Sequence, residues 1–124
     1  MKKLQLFLLF SLLAVQAFSQ SSIVIKNYIE QFKDVAMEEM QRTGVPAAIM
    51  LAQGIHETSA GQSQLVKESN NHFGIKCKTE WHGPSVYHDD DARGECFRKY
   101  TSPADSYKDH SDFLATSKLL TDTW

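Results

Sequence analysis

Residues 45–61 read VPAAIMLAQGIHETSAG. Pro46 suits the first turn of a helix, Ala47 to Thr58 form its interior, and Gly61 supplies a stop. The segment is apolar on nearly every side, which predicts a central buried helix. Glu57, in its last turn, is then the anomaly, because burying an unpaired carboxylate costs several kcal/mol in practice. Two accounts fit. The unpaired carbonyls of the helix end and apolar surroundings would both disfavour the ionised form, leaving a carboxylic acid able to donate a proton. Alternatively, Glu57 sits on the solvent edge of the helix end, paired with a lysine. Met50, Gln53 and Gly54 lie on the same face. Gly54 offers no side chain, which would let a ligand or another backbone approach, and Gln53 is a candidate substrate-binding residue.

Upstream, Ile25, Tyr28, Ile29, Phe32, Val35, Ala36 and Met40 recur at helical spacing, with Ser22 as a possible cap and Gly44 as the stop. The first stretch, MKKLQLFLLFSLLAVQAFSQ, has two lysines, an apolar run and small residues at Ala17 and Ser19. That layout predicts a signal peptide over 1–19, cleaved near Gln20, and a domain over 20–124. The alternative is a retained anchor, although the run is short for a comfortable membrane span.

Downstream, a short helix is expected over Gln62 to Glu68. Strands are expected at Gly74–Cys77, Ser85–His88 and Glu95–Tyr100, where aromatic and β-branched residues alternate with Gly, Pro and an acidic turn. Ser102 and Pro103 open a last helix, with Tyr107, Phe113 and Leu114 on its inner face. The predicted class is α+β, mostly α, with a small β-hairpin lobe.

The 124 residues carry 13 Lys and Arg against 15 Asp and Glu, with no basic stripe, so a nucleic-acid partner lacks its electrostatic footprint. The two cysteines, Cys77 and Cys96, read in an exported chain as a disulfide worth on the order of 3 kcal/mol, with two buried free thiols as the alternative. HETSA begins like a zinc-protease helix but has Ala60 where a second His is required. DDDARGECFRKY puts Asp89, Asp91 and Gly94 in phase with a calcium loop, but Arg93 and Tyr100 occupy ligand positions. No metal and no cofactor are therefore expected. Glu95 would face Glu57 if the hairpin swings it over a groove, since paired carboxylates split glycosidic bonds; otherwise it is part of a solvated acidic turn. Asn71 suits a turn, Phe73 core packing and Gly74 close backbone approach. Trp81 and Tyr87 would either stack on sugar faces or pack the hairpin.

Taken together, AQGIHETSAGQSQLVKESNNHFGIKC, then Trp81 and Gly83, then YHDDDARGECFRKY and SYKDHSDFL closely resemble the glucosaminidase family of peptidoglycan hydrolases, glycoside hydrolase family 73. That family includes flagellar hydrolases and autolysins, and the likeness runs from about Val45 to about Ser117. The resemblance implies a lysozyme-like fold with glycan strands in the cleft, and cleavage of the β-1,4 bond between N-acetylglucosamine and N-acetylmuramic acid. It implies that Glu57 is the catalytic acid, Glu95 the second catalytic group, and Asn71, Phe73 and Gly74 cleft residues. Family members continue past the DHSDFL helix, so a domain shortened at its C-terminus is expected here, with activity reduced to glycan binding as one alternative and N-acetylmuramidase activity as another. The expected setting is periplasmic or extracellular, as a monomer without a stable membrane span.

Overall fold

The computed structural model describes residues 2–117, with side chains from residue 21 onward. The elements, in order, are α1 (Lys2–Thr43), α2 (Ala47–Thr58), α3 (Gln64–Ser69), β1 (Ser85–His88), β2 (Glu95–Arg98) and α4 (Pro103–Thr116). The expected signal peptide and the tail 118–124 lie outside the residues whose side chains are described. Over residues 21–117, no helix is long and apolar enough to cross a membrane.

α1 packs against α2 and α4, and α3 packs against a two-stranded antiparallel sheet in which Ser85 pairs with Arg98 and His88 with Glu95. α1 packs on α2 and α4 through Tyr28, Phe32 and Ala36, and these meet Val45, Met50, Phe73, Tyr107 and Leu114 in one apolar core. Each fully buried large side chain contributes roughly 1.5–3 kcal/mol relative to exposure. At the centre, the Tyr28 hydroxyl bonds His72 Nδ1 at 2.7 Å and the Tyr107 hydroxyl at 2.8 Å, joining α1, α4 and the loop after α3.

Several expectations are corrected. α2 is buried on one stripe only, Ala47, Met50, Gly54 and Thr58, while Ile49 is exposed. The described residues cover a single face of it, although its composition would tolerate covering all round. Gly54 serves the core and not a ligand, because a Cβ there would collide with the Tyr28 hydroxyl. Ser22 caps nothing: α1 runs straight through it, since residues 2–22 contain neither Gly nor Pro to interrupt the helix. Ile25 and Met40 are exposed although they continue the spacing of Tyr28, Phe32 and Ala36, because the core covers only the middle of that stripe. Gly74–Cys77 forms no strand; a single bridge joins Lys76 to Phe97. On α4, Ser106, Tyr107, Ser111 and Leu114 make the inner face, and Phe113 is 62% exposed because it is rotated away from that stripe.

The helix ends follow local chemistry. Ser63 accepts a hydrogen bond from Val66 N and caps α3, and Ser102 accepts from Asp105 N and caps α4 with Pro103 in its first turn. α2 stops where the Thr58 hydroxyl donates back to Gly54 O at 2.6 Å and receives Gly61 N at 2.7 Å. Ser59, Ala60 and Gly61 all take left-handed backbone, turning the chain sharply just beyond Glu57.

Candidate active site

Glu57 is exposed, not buried, and stands on the wall of an open groove between the helices and the hairpin. The groove encloses about 310 Å³, and Ser63, Gln64 and Leu65 line its helical side. Gly74, His88, Asp89, Asp90 and Phe97 line the opposite side. Among the described residues, Glu57 has neither an ion pair nor a hydrogen-bond partner, so the lysine-paired alternative is not the arrangement found. A carboxyl group left without a protein partner in a cleft is free to engage a ligand.

The loop carrying Gly74 is built by Asn71. Its side chain is buried, donates to Ile75 O and Arg98 O, both at 2.9 Å, and accepts from Ile75 N at 3.0 Å. With Phe73 N, which donates to the same Oδ1 at 3.4 Å, four backbone groups around residues 71–75 and β2 are organised by one amide. Asn71 is therefore a residue that shapes the cleft and does not line it. Gly74 has φ +62, and a Cβ there would stand 3.2 Å from Glu57 Oε2. Both facts favour glycine at this position.

Besides the Asn71 bond to Arg98, a covalent bridge and a side-chain pair tie the hairpin to the rest. Cys77 and Cys96 form a disulfide, so the free-thiol alternative does not hold. His88 Nε2 meets Glu68 Oε2 at 2.9 Å, joining β1 to α3 across one end of the groove. Hydrogen bonds from Gln64 and His88 hold the Glu68 carboxyl below its ordinary pKa.

Glu95 sits differently from the expected face-to-face partner. Its Oε1 accepts from Lys76 Nζ at 3.3 Å, and its buried Oε2, 3.1 Å from the same ammonium, makes no hydrogen bond. Lys76 also pairs with Asp91 at 3.3 Å and approaches Asp90 at 3.8 Å. The carboxylates of Asp90, Asp91 and Glu95 thus converge on a lysine. Of the hairpin acids, Asp89 and Asp90 line the Glu57 groove and Glu95 does not. In the sequence Asp89 read only as a calcium-loop position and Asp90 only as part of an acidic turn; the Asp-rich run itself was the one signal for either.

The other anticipated residues are dispersed. Gln53 Oε1 lies 2.7 Å from His110 Nε2, and that imidazole stacks on Phe73 with ring centroids 4.0 Å apart. Burial holds His110 down at about 4, so it is neutral near pH 7. The Trp81 ring packs between Tyr100 and the Arg98 guanidinium, and its Nε1 donates to Pro84 O at 2.8 Å. It borders a separate depression. Tyr87 points outward from β1, 67% exposed, and lines no part of the Glu57 groove.

Against known proteins, the family described as mannosyl-glycoprotein endo-beta-N-acetylglucosaminidase, or glucosaminidase, matches residues 33–122. The peptidoglycan hydrolase FlgJ of Vibrio parahaemolyticus is 31% identical over 100 residues, covering 72% of this chain and 32% of that protein. The autolysin of Enterococcus faecalis is 34% identical over 101 residues, covering 74% of this chain and 13% of its own length. The chain therefore spans about a third or less of the curated relatives it matches. Among solved structures, the glycoside hydrolase domain of Salmonella typhimurium FlgJ superposes with a TM-score of 0.66 at 28% identity, covering 75% of this chain and 62% of that one. A peptidoglycan hydrolase from Sphingomonas sp. A1 gives 0.66 at 31% identity, covering 74% and 62%. The lysozyme-like architecture expected above is the one these neighbours share.

Proposed function

Since the chain belongs to the glucosaminidase family of peptidoglycan hydrolases, we propose that it is an endo-β-N-acetylglucosaminidase that hydrolyses the β-1,4 bond between N-acetylglucosamine and N-acetylmuramic acid. The observation that supports this best is Glu57, an unpartnered carboxyl on the wall of a groove whose far wall carries aspartates.

In this reading the Glu57 carboxyl gives its proton to the glycosidic oxygen as the anomeric carbon–oxygen bond breaks. Positive charge then develops on the glucosamine ring. A hairpin carboxylate steadies that charge and directs a water to the same carbon, the water's proton returning to a carboxylate. Asp90 lines the groove and suits this second role directly. Glu95, the residue expected for it, contributes through Lys76, whose charge it shares with Asp90. Gly74 is the point of closest approach for the sugar, and Asn71 and Phe73 act by holding it in place. The chemistry calls on side chains alone, without a cofactor.

Export is part of the proposal. Residues 1–19 would be removed as a signal peptide, and the remaining chain would act as a monomer in the periplasm or outside the cell. The Cys77–Cys96 disulfide agrees with an oxidising compartment.

The test is product chemistry. Purified peptidoglycan is digested with the chain, and the new reducing ends are reduced with borohydride and identified by mass spectrometry. The proposal expects ends derived from N-acetylglucosamine. Ends derived from N-acetylmuramic acid would reassign the cleaved bond, and sedimentation with peptidoglycan without new ends would reduce the chain to a binding module.

A further inference from the structure

A second, larger groove of about 550 Å³ opens on the other side of Gly74. Gly74 lines both grooves, so the two meet at the residue beside Glu57. The walls of the second groove differ from those of the first. Phe73, Ile75 and Phe113 give it apolar surface, and the exposed Phe113 ring stands at its edge. Nearly all of its charges are consumed internally. Arg98 pairs with Glu80 and Asp109, Asp112 with Arg42, and Lys76 with Glu95 and Asp91. One lining cation, Lys78, has no carboxylate partner among the described residues. Its ammonium lies 5.9 Å from the Phe113 ring centroid. Lys78 also holds φ +51, a left-handed conformation strained for a non-glycine residue, directly after the bridged Cys77.

We infer that this second groove is a subsite for the stem peptide that branches from N-acetylmuramic acid, with Lys78 receiving one of its carboxylates and Phe113 and Ile75 its alanine methyl groups. The inference rests on the peptidoglycan reading above and adds to it a preference for peptide-bearing over bare glycan. Three observations favour a peptide over further sugar. Most of the groove's charged side chains are already paired, within it or with residues beside it, and a sugar needs many free donors and acceptors. Its apolar floor and single free cation complement a short anionic chain of small aliphatic residues. Finally, it joins the Glu57 groove at Gly74, where a branch from the sugar beside the cleaved bond would leave the glycan.

The experiment compares the wild type with Lys78→Glu and Phe113→Ser, both exposed positions outside the proposed catalytic set. The substrates are intact peptidoglycan and glycan strands stripped of stem peptides by an amidase. Reducing-end release from intact peptidoglycan is expected to fall about tenfold in each variant, with release from stripped strands unchanged. In parallel, Glu57→Gln with and without Lys78→Glu is titrated with a disaccharide–tetrapeptide and with the bare disaccharide. The peptide form is expected to bind about tenfold more tightly, and the advantage to vanish with Lys78→Glu. Equal loss on both substrates, or equal binding of both ligands by the protein that keeps Lys78, would overturn the inference. A wild type that releases no reducing ends yet binds the peptide form preferentially would sink the catalytic reading and leave this subsite standing.

Discussion

Glu57 Oε2 lies 3.2 Å from the position a β-carbon would take on Gly74, and that glycine adopts φ +62. The acid and the backbone on the opposite side of the groove are thus set against each other, so that a methyl group at residue 74 would press the Glu57 carboxyl back by a few tenths of an ångström. Gly74→Ala should destabilise the fold by about 1–3 kcal/mol through the left-handed backbone alone. It should also displace Glu57 and lower wall hydrolysis by about tenfold or more, since small misplacements of reacting groups are costly. Thermal melts beside hydrolysis rates check both parts; full activity in a folded Gly74→Ala protein would show that this contact is idle.

The hairpin acids separate by a pair of substitutions. Asp90→Asn should reduce hydrolysis on the order of a hundredfold, in the range of a lost general acid or base. Glu95→Gln should reduce it less and should lower stability, because it leaves Lys76 with only the exposed aspartates. The reverse ranking of rates would return the second role to Glu95.

Reducing the Cys77–Cys96 bridge should cost roughly 2–4 kcal/mol, the usual effect of releasing a loop of this length. Urea unfolding with and without reductant measures it. An unchanged midpoint would mean that the His88–Glu68 contact and the β ladder hold the hairpin unaided.

Two histidines, buried His72 and half-buried His110, set an acid limit. Burial lowers His72 to about 4 and His110 to about 4 from an ordinary value of 6.5. Above pH 6.5 both are neutral in either state and cost nothing. Between pH 6.5 and about 4 the unfolded chain takes up protons that the folded one refuses, so stability falls as pH falls. Each contributes a loss of order 3 kcal/mol, complete below about pH 4. A pH series of unfolding free energies for the wild type and His72→Gln should show a shallower acid slope in the variant; identical slopes would remove His72 from this account.

Gly54→Ala tests the core. The added methyl group would meet the Tyr28 hydroxyl and press apart its bonds to His72 and Tyr107. A loss of about 1–3 kcal/mol, the usual range for overpacking, is expected in chemical denaturation.

Much of this was legible in the residues. The caps at Ser102 and Pro103, the stop at Gly44 and the hairpin strands at 85–88 and near 95–98 follow from local chemistry, which short-range sequence carries. α2 was misjudged because composition records what a helix tolerates on each face, not what packs against it. The same limit hid Gly54's role, since the partner that needs the space, Tyr28, is far away in the chain. At the site, Glu57 drew notice because burial was expected of it, and it is exposed instead; Gly74 was expected to permit close approach, and the two do meet at the groove. Asn71 was expected to suit a turn and, by the resemblance, to line the cleft, but its amide turns inward onto the backbone groups of Phe73, Ile75 and Arg98. Glu95 and Asp90 could not be ranked, since the choice depends on where Lys76 reaches from another segment.

The central claim is that the Glu57 carboxyl is the proton donor, and Glu57→Gln tests it most directly. Glu57 is exposed and has no hydrogen-bond partner among the described residues, so the variant should melt as the wild type does. Reducing-end release from purified peptidoglycan should fall by about a hundredfold or more. A folded Glu57→Gln protein that releases reducing ends at the wild-type rate would contradict the account.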